Sequence, residues 1–217
     1  MRAASRRGGD SERVLLRACP GNSLTGALLK LAIFGGTFDP IHEGHLALAR
    51  AAVSRFGLDR VLLVPAARPP HKSGVTHAPY ADRVAMAELA VAGEPRFEVS
   101  RLEEHTERSY SIYTIDKVRA TLAPGDVLYF LIGADAFDEL QTWYRWRDVL
   151  REVRFLVVSR PGHPYEPPPG AQFDRIDDLE VPISSSEIRR AISAGEHPAG
   201  LPEAVLTYAE SKGLYRG

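Results

Sequence analysis

Residues 35–45, which read GGTFDPIHEGH, combine two adjacent glycines with two histidines at a spacing suited to binding a phosphate. They follow an apolar run and precede an apolar-periodic stretch, so the pattern predicts a strand, a glycine turn and the start of a helix. Glycines let the backbone approach a ligand closely, and the first amides of a helix attract an anion. His42 and His45 lie three residues apart and should share one helical face. There, their N–H groups would stabilise the charge that develops on phosphate oxygens during a transfer.

The same residues admit simpler interpretations. Paired histidines also occur as metal ligands or as surface groups, and a turn with two glycines is common. No cysteine or further histidine lies at zinc-ligand spacing near His42 and His45, which disfavours a zinc site. Asp39 is expected either to form the turn or to support the site, and the sequence favours the turn.

Short β-rich runs alternate with longer amphipathic runs along the chain, the rhythm typical of βαβ units that build a parallel sheet. Strands are predicted at 31–34, 60–65, 97–100, 127–133 and 154–159. Helices are predicted at 44–56, 80–92, 111–122, 146–153, 185–194 and 202–212. We therefore expect an α/β fold, a Rossmann-like doubly wound parallel sheet in one domain, 31–217, with a helical C-terminal part. Ligands of such sheets bind beyond the carboxyl ends of the strands, where each motif described here falls.

Composition and charge exclude several classes of function. The chain has 217 residues, of which 44% are hydrophobic and 25% charged, and its net charge is −1. No global basic field would attract nucleic acid, and no apolar run has the length of a membrane span. The single cysteine, Cys19, excludes an intrachain disulfide and is consistent with a reducing compartment, so we expect the cytoplasm. Residues 1–30 are expected to be a poorly ordered extension or a gene start placed too early.

Two loops after predicted strands carry groups that could contact a nucleotide. Pro69 and Pro70 would stiffen the loop that presents Lys72, whose ammonium could act as a point charge on phosphate oxygens. A solvated surface lysine is the simpler alternative. Gly133 ends a predicted strand and leaves room for a ligand, and Asp135 could accept hydrogen bonds from ribose hydroxyls or cap a helix.

A serine-rich segment near the C-terminus predicts a second helix start with anion-binding character. Ser184 and Glu187 fit a capping box, which by itself accounts for the serines. It does not account for Arg189, which would lie near the same helix end and could hold phosphates.

Aromatic residues cluster between the fourth predicted strand and the helix at 146–153. Trp143 and Tyr144 follow a short helical segment, and aromatic clusters of this kind are usually core or interface anchors. A tryptophan over the carboxyl edge of a sheet could instead stack on a flat heteroaromatic ring.

Two signatures, about 140 residues apart, together resemble one enzyme superfamily. Residues 36–45 resemble the nucleotidyltransferase turn, Gly-Thr-Phe-Asp-Pro followed by His-x-Gly-His, and residues 183–189 resemble its Ser-Ser/Thr-x-Ile-Arg motif. The aromatic segment is similar to the Thr-Trp-Tyr of the bacterial nicotinate-nucleotide adenylyltransferases. Ser111 stands where that family has a threonine. Serine keeps the hydroxyl of threonine and lacks its methyl group. The resemblance extends from about residue 31 to the closing 213–216.

The resemblance implies roles for individual residues. The catalytic residues would be His42, His45, Lys72 and Arg189. The ATP-binding residues would be Gly35, Gly36, Thr37, Phe38, Gly133, Asp135, Ile183, Ser184, Ser185 and Ser186. Nicotinate mononucleotide would bind at Ser111, Trp143 and Tyr144, with no metal ligand among the side chains.

The reaction implied by the resemblance is adenylyl transfer from ATP to nicotinate mononucleotide, with Mg²⁺ bound through the substrate phosphates. The alternatives are a pantetheine-phosphate adenylyltransferase, which would not need Trp143, and a non-catalytic nucleotide-binding regulator on the same fold. The sequence leaves open whether the chain forms a homo-oligomer.

Overall fold

The structure, a computed structural model, describes residues 28–69, 76–159, 165–177, 179 and 182–216 of the chain. The predicted N-terminal extension lies outside the described residues except for its last three positions. Lys72 also lies outside them, so its predicted role stays a prediction.

Six parallel strands form one sheet in the order β3-β2-β1-β4-β5-β6. This order is that of a doubly wound Rossmann sheet, as the sequence predicts. Strands β2 and β3 are added on one side of β1 and strands β4 to β6 on the other, so the switch point of the sheet lies between β1 and β4. The strands are β1 Lys30–Gly36, β2 Arg60–Pro65, β3 Phe97–Val99, β4 Val127–Gly133, β5 Arg154–Val158 and β6 Phe173–Ile176.

Alternate side chains of the central strands enter two separate cores, one on each face of the sheet. In β1, Ala32 and Phe34 join the first core, whereas Leu31 and Ile33 join the second. Such near-continuous apolar strands are characteristic of parallel sheets covered by helices on both faces.

Helices cover both faces of the sheet. Buried residues of α1, α2, α6 and α7 lie in the first core, and those of α3, α4 and α5 lie in the second. The bounds are α1 Glu43–Phe56, α2 Tyr80–Ala90, α3 Ser111–Arg119, α4 Ala134–Asp138, α5 Trp146–Glu152, α6 Ser185–Ser193 and α7 Glu203–Ser211.

One strand escapes sequence prediction. Strand β6 is a four-residue edge strand whose Asp174 pairs with Arg154 of β5, so its charges hide the apolar pattern. Helix α4 has five residues and a 3-10 turn at Glu139–Thr142 follows it, so the short helical segment expected before Trp143 is present. Of the helices in the described residues, none has the length and apolar character needed to cross a bilayer.

Candidate active site

The glycine turn between β1 and α1 places two imidazole rings side by side. His42 is the N-cap of α1, and His45 lies three residues further along the same turn. Their ring centroids are 3.8 Å apart, and the backbone N–H of His42 donates to Nδ1 of His45 at 3.3 Å. Because Nδ1 accepts this bond, the proton of a neutral His45 ring lies on Nε2.

Burial keeps His42 neutral. Its side chain is 5% exposed, and desolvation lowers its pKa from 6.5 to about 4. At neutral pH the ring therefore offers a single N–H donor rather than a cation.

The ring of Phe38 leaves no room for a side chain at Gly36. A Cβ on Gly36 would lie 2.9 Å from two atoms of that ring, a distance that real Cβ contacts do not show. The Phe38 ring is buried and packs edge-on against Phe34 at 5.5 Å and against His45 at 5.1 Å. Phe38 itself has φ +48°, a left-handed conformation that costs a non-glycine residue about 1–2 kcal/mol.

Asp39 ties the turn to two distant parts of the chain. Its buried carboxylate accepts the backbone N–H groups of His77, at 2.7 Å, and Ala78, at 3.1 Å. It also accepts the hydroxyl of Tyr215 at 2.8 Å. Asp39 lies in the turn, as the sequence favours, and its side chain also supports the turn through bonds to residues outside it.

The start of α6 meets the same turn. Ser184 forms the predicted capping box with Glu187, accepting its N–H at 3.2 Å and donating its own N–H to the carboxylate at 3.1 Å. Ser185 Oγ donates to the carbonyl of Pro40 at 3.0 Å. Arg189 Nη1 donates to the carbonyl of Asp39 at 2.7 Å, so the two signatures are in direct contact.

On the other side of the switch point, β4 runs directly into α4. The N-cap of α4 is Gly133, so the alternative in which Asp135 caps the helix is wrong, and Asp135 instead lies in the first helical turn. A Cβ on Gly133 would meet no described protein atom within 4 Å, so packing does not require this glycine. Its missing side chain leaves room beside the strand end.

These elements enclose one cleft of about 610 Å³ at the carboxyl edge of the sheet. The N-terminal ends of α1, α4 and α6 contribute lining residues, and the amides and dipoles of the two longer helices, α1 and α6, favour an anion there. The predicted site residues in the lining are Gly36, Thr37, Phe38, His42, His45, Gly133, Asp135, Ile183, Ser184, Ser185, Ser186 and Arg189. Gly35 is absent from this lining.

The residues predicted to bind the nicotinate part lie outside the cleft lining. Ser111 is the first residue of α3, whose approach is fixed by two bonds between Ser109 and Arg68, at 2.9 and 3.1 Å. Trp143 is partly buried and packs edge-on against Phe130, with ring centroids 5.9 Å apart. The structure therefore divides the predicted residues into a cleft and a neighbouring aromatic region.

Three tyrosines form a group in that aromatic region, which we call the tyrosine patch: Tyr110, which is partly buried, and the exposed Tyr113 and Tyr144. Tyr144 stacks on Tyr110 with ring centroids 4.6 Å apart, and Tyr113 lies 5.9 Å from both. Tyr113 is 42% exposed and Tyr144 46% exposed. Flat aromatic faces thus stand open to solvent beside α3.

Sequence reasoning missed Arg83, which the fold buries completely behind the glycine turn. Arg83 lies on α2 one turn before Met86 and Ala87, both core residues. A charged residue on the apolar face of a predicted helix was the available signal. Tyr215 belongs to the closing segment 213–216, and its bond to Asp39 spans 176 positions, which no local pattern reveals.

Comparisons with known proteins agree with this architecture. A family model described as cytidylyltransferase-like matches residues 33–191. A protein of Solibacter usitatus, named probable nicotinate-nucleotide adenylyltransferase, is 72% identical over 187 residues, which cover 86% of this chain and 100% of the relative. A Thermus thermophilus protein of the same name is 45% identical, over 87% of this chain and 100% of the relative.

One solved structure shows the likeness in three dimensions. The nicotinic acid mononucleotide adenylyltransferase of Plasmodium falciparum, complexed with NaAD, has a TM-score of 0.70 and covers 86% of this chain and 97% of its own. Its sequence is 20% identical to this chain, so the likeness shows a common fold.

Proposed function

Since the chain belongs to the cytidylyltransferase-like family and, within it, to the nicotinate-nucleotide adenylyltransferases, we propose that it transfers the adenylyl group of ATP to nicotinate mononucleotide. The products are deamido-NAD and pyrophosphate. One observation carries the proposal: two helix N-termini, two histidines and Arg189 converge on a single cleft at the switch point of the sheet. A pantetheine-phosphate enzyme or a regulator is not favoured, because the relatives carry the nicotinate-nucleotide name.

The reaction proceeds by positioning and charge stabilisation, without a covalent enzyme intermediate. A phosphate oxygen of nicotinate mononucleotide attacks the α-phosphorus of ATP and forms a new P–O bond. The bond between the α-phosphorus and the bridging oxygen breaks, and pyrophosphate leaves with that electron pair. His45, through Nε2–H, and neutral His42 donate hydrogen bonds to oxygens whose charge rises in the transition state.

The remaining phosphates of ATP bind at the start of α6. The supporting geometry is the exposed first turn, where Ser186 Oγ accepts from Arg189 Nη2 at 3.2 Å. A guanidinium has five N–H donors, so Arg189 can bridge the turn and a phosphate at once. Lys72 is proposed to act on the same phosphates.

The nicotinate ring is proposed to bind beside the cleft, against Trp143, with Ser111 and Tyr144 near its carboxylate. Support comes from the position of these residues, because α3 and the turn after α4 both begin at the carboxyl edge of the sheet. The proposed ATP contacts with Gly35, Gly133 and Asp135 fit the same edge.

Mg²⁺ is proposed to reach the site with the substrates. Among the described residues, no group of three or more His, Cys, Asp or Glu side chains could hold a metal ion. The ion would therefore be held mainly by phosphate oxygens and water, and when bound it neutralises phosphate charge. We propose the cytoplasm as the location, on the single-cysteine argument.

Pyrophosphate release from ATP and Mg²⁺ tests the proposal. Purified protein is supplied in parallel with nicotinate mononucleotide, nicotinamide mononucleotide and phosphopantetheine. We expect release to be fastest with nicotinate mononucleotide. Release with another acceptor alone would overturn the substrate, and no release with any acceptor would overturn the proposal of an enzyme.

A further inference from the structure

The glycine turn is held from behind by a buried cation. Arg83 has no exposed surface, and its Nη1 donates to the carbonyl of Thr37 at 2.6 Å. Its Nε donates to the carbonyl of Ala78 at 3.2 Å. Desolvating a guanidinium is costly, so a buried arginine is stable only where hydrogen bonds and nearby charges compensate for the lost water.

Ala78 closes a loop of contacts between the turn and the start of α2. Its carbonyl accepts from Arg83, while its N–H donates to the carboxylate of Asp39. Arg83 and Asp39 therefore connect the turn to the same backbone residue from two sides. The negative charge of Asp39 also favours the charged form of Arg83, against the burial that lowers its pKa.

The bond to Thr37 fixes the direction of one peptide group. A trans peptide is planar, with its C=O and N–H on opposite sides, so the N–H of Phe38 points away from the carbonyl of Thr37. That carbonyl faces Arg83 on α2, a helix that contributes no residue to the described cleft lining. Thr37 and Phe38 do line the cleft, on the other side of the turn.

The turn needs such a restraint, because Phe38 has a left-handed backbone with φ +48°. Strained conformations of this kind persist only where surrounding contacts fix them. Asp39 and Pro40 have their carbonyls held by Arg189 and Ser185 of α6. The carbonyl of Thr37 is held by Arg83 of α2.

We infer that Arg83 is a positioning residue, which holds the Thr37–Phe38 peptide so that the N–H of Phe38 faces the phosphates of the bound nucleotide. This inference rests on the proposed function. Arg83 itself does not touch the substrate, and its effect passes through one backbone donor. An oriented backbone N–H in a site of this kind contributes to binding and to stabilising developing charge.

Arg83→Met tests the inference, with Met86→Ala as the matched control. Both residues are fully buried on α2, and both variants should lose thermal stability, but only the Arg83 side chain can donate a hydrogen bond to the carbonyl of Thr37. At a temperature where circular dichroism shows both variants folded, kcat/KM for ATP should fall about tenfold or more in Arg83→Met. The KM for nicotinate mononucleotide should stay within about threefold of the wild-type value.

A purely structural role gives a different result. Loss of folded protein would lower kcat in proportion to the active fraction and would leave the KM for ATP unchanged. If Arg83→Met, corrected for active sites, matches Met86→Ala in kcat/KM for ATP, the inference is overturned.

A binding measurement separates this inference from the proposed function. Calorimetric titration with a non-hydrolysable ATP analogue needs no acceptor and no turnover. We expect the affinity of Arg83→Met to be about tenfold weaker than that of Met86→Ala. Equal affinities together with equal kcat/KM would overturn the role of Arg83, whereas an inactive wild-type protein would overturn the proposed reaction.

Discussion

The cleft and the tyrosine patch lie at the same edge of the sheet but are built in opposite ways. In the cleft, the carbonyls of Thr37, Asp39 and Pro40 are each held by a side chain from another helix. In the patch, Tyr113 and Tyr144 are exposed and contact mainly other aromatic rings. A phosphate site needs donors fixed before the charge develops, whereas a flat ring needs only an accessible flat partner. Fixed backbone geometry is thus concentrated where the chemistry is proposed.

His45→Ala gives the largest expected effect and acts on the cleft alone. Removing one preorganised donor should lower kcat about 10²- to 10³-fold. Affinity for ATP should change little, because Arg189 and the helix N-termini remain. Pyrophosphate release gives kcat, and calorimetry gives the affinity. Exposed His105→Ala is the control, and equal turnover of His45→Ala and the wild type would remove His45 from the mechanism.

The buried His42 should also make the stability of the folded protein sensitive to acid. The pKa of His42 is about 4 in the folded protein and 6.5 in the unfolded chain, so the unfolded chain binds a proton more readily between these values. The contribution of neutral His42 to the free energy of unfolding is therefore fully present above about pH 6.5. This contribution, about 3 kcal/mol in total, is lost as the pH falls towards 4. Urea unfolding of the wild type and His42→Asn at both ends of this range measures the difference.

His105→Gln serves as the control for that experiment, because it replaces an exposed histidine. Carboxylates titrate equally in all three proteins and cancel in the comparison. A wild type and His42→Asn with identical losses would show that His42 does not titrate in this range.

Trp143→Ala should act on the aromatic region beside the cleft and leave the cleft itself unchanged. Stacking of a flat ring on an aromatic side chain contributes about 1–3 kcal/mol, so the KM for nicotinate mononucleotide should rise about tenfold to a hundredfold. The KM for ATP should stay constant. Trp146→Ala removes the other tryptophan and is the control. A parallel rise of both KM values would instead mean that the packing of Trp143 on Phe130 supports the whole edge.

Tyr215→Phe is expected to have the smallest effect and tests whether Tyr215 supports the cleft. It removes the bond to Asp39 and should lower the free energy of unfolding by about 1 kcal/mol. Tyr208→Phe removes a bond of the same length, 2.8 Å, to Asp82 between α7 and α2. Urea unfolding should give similar losses, but only Tyr215→Phe should reduce kcat. Equal activities would place Tyr215 outside the site.

The sequence predicts most of the sheet because apolar runs of parallel strands stand out from the helices between them. All five predicted strands and all six predicted helices are present, with ends shifted by a few residues. The contact of Ser184 with Glu187 was also predictable, because a capping box is local. The links of Asp39 to His77 and Tyr215 were not, because they join residues 38 and 176 positions apart.

The bond between Tyr215 and Asp39 also has a consequence for when the site matures during translation. Asp39 leaves the ribosome long before Tyr215, since 176 positions separate them. A nascent chain can already hold β1, β2 and the glycine turn while the carboxylate of Asp39 still lacks this partner. The last contact of the turn is therefore made only when synthesis has reached Tyr215, and a partly made chain would carry an incompletely fixed nucleotide site.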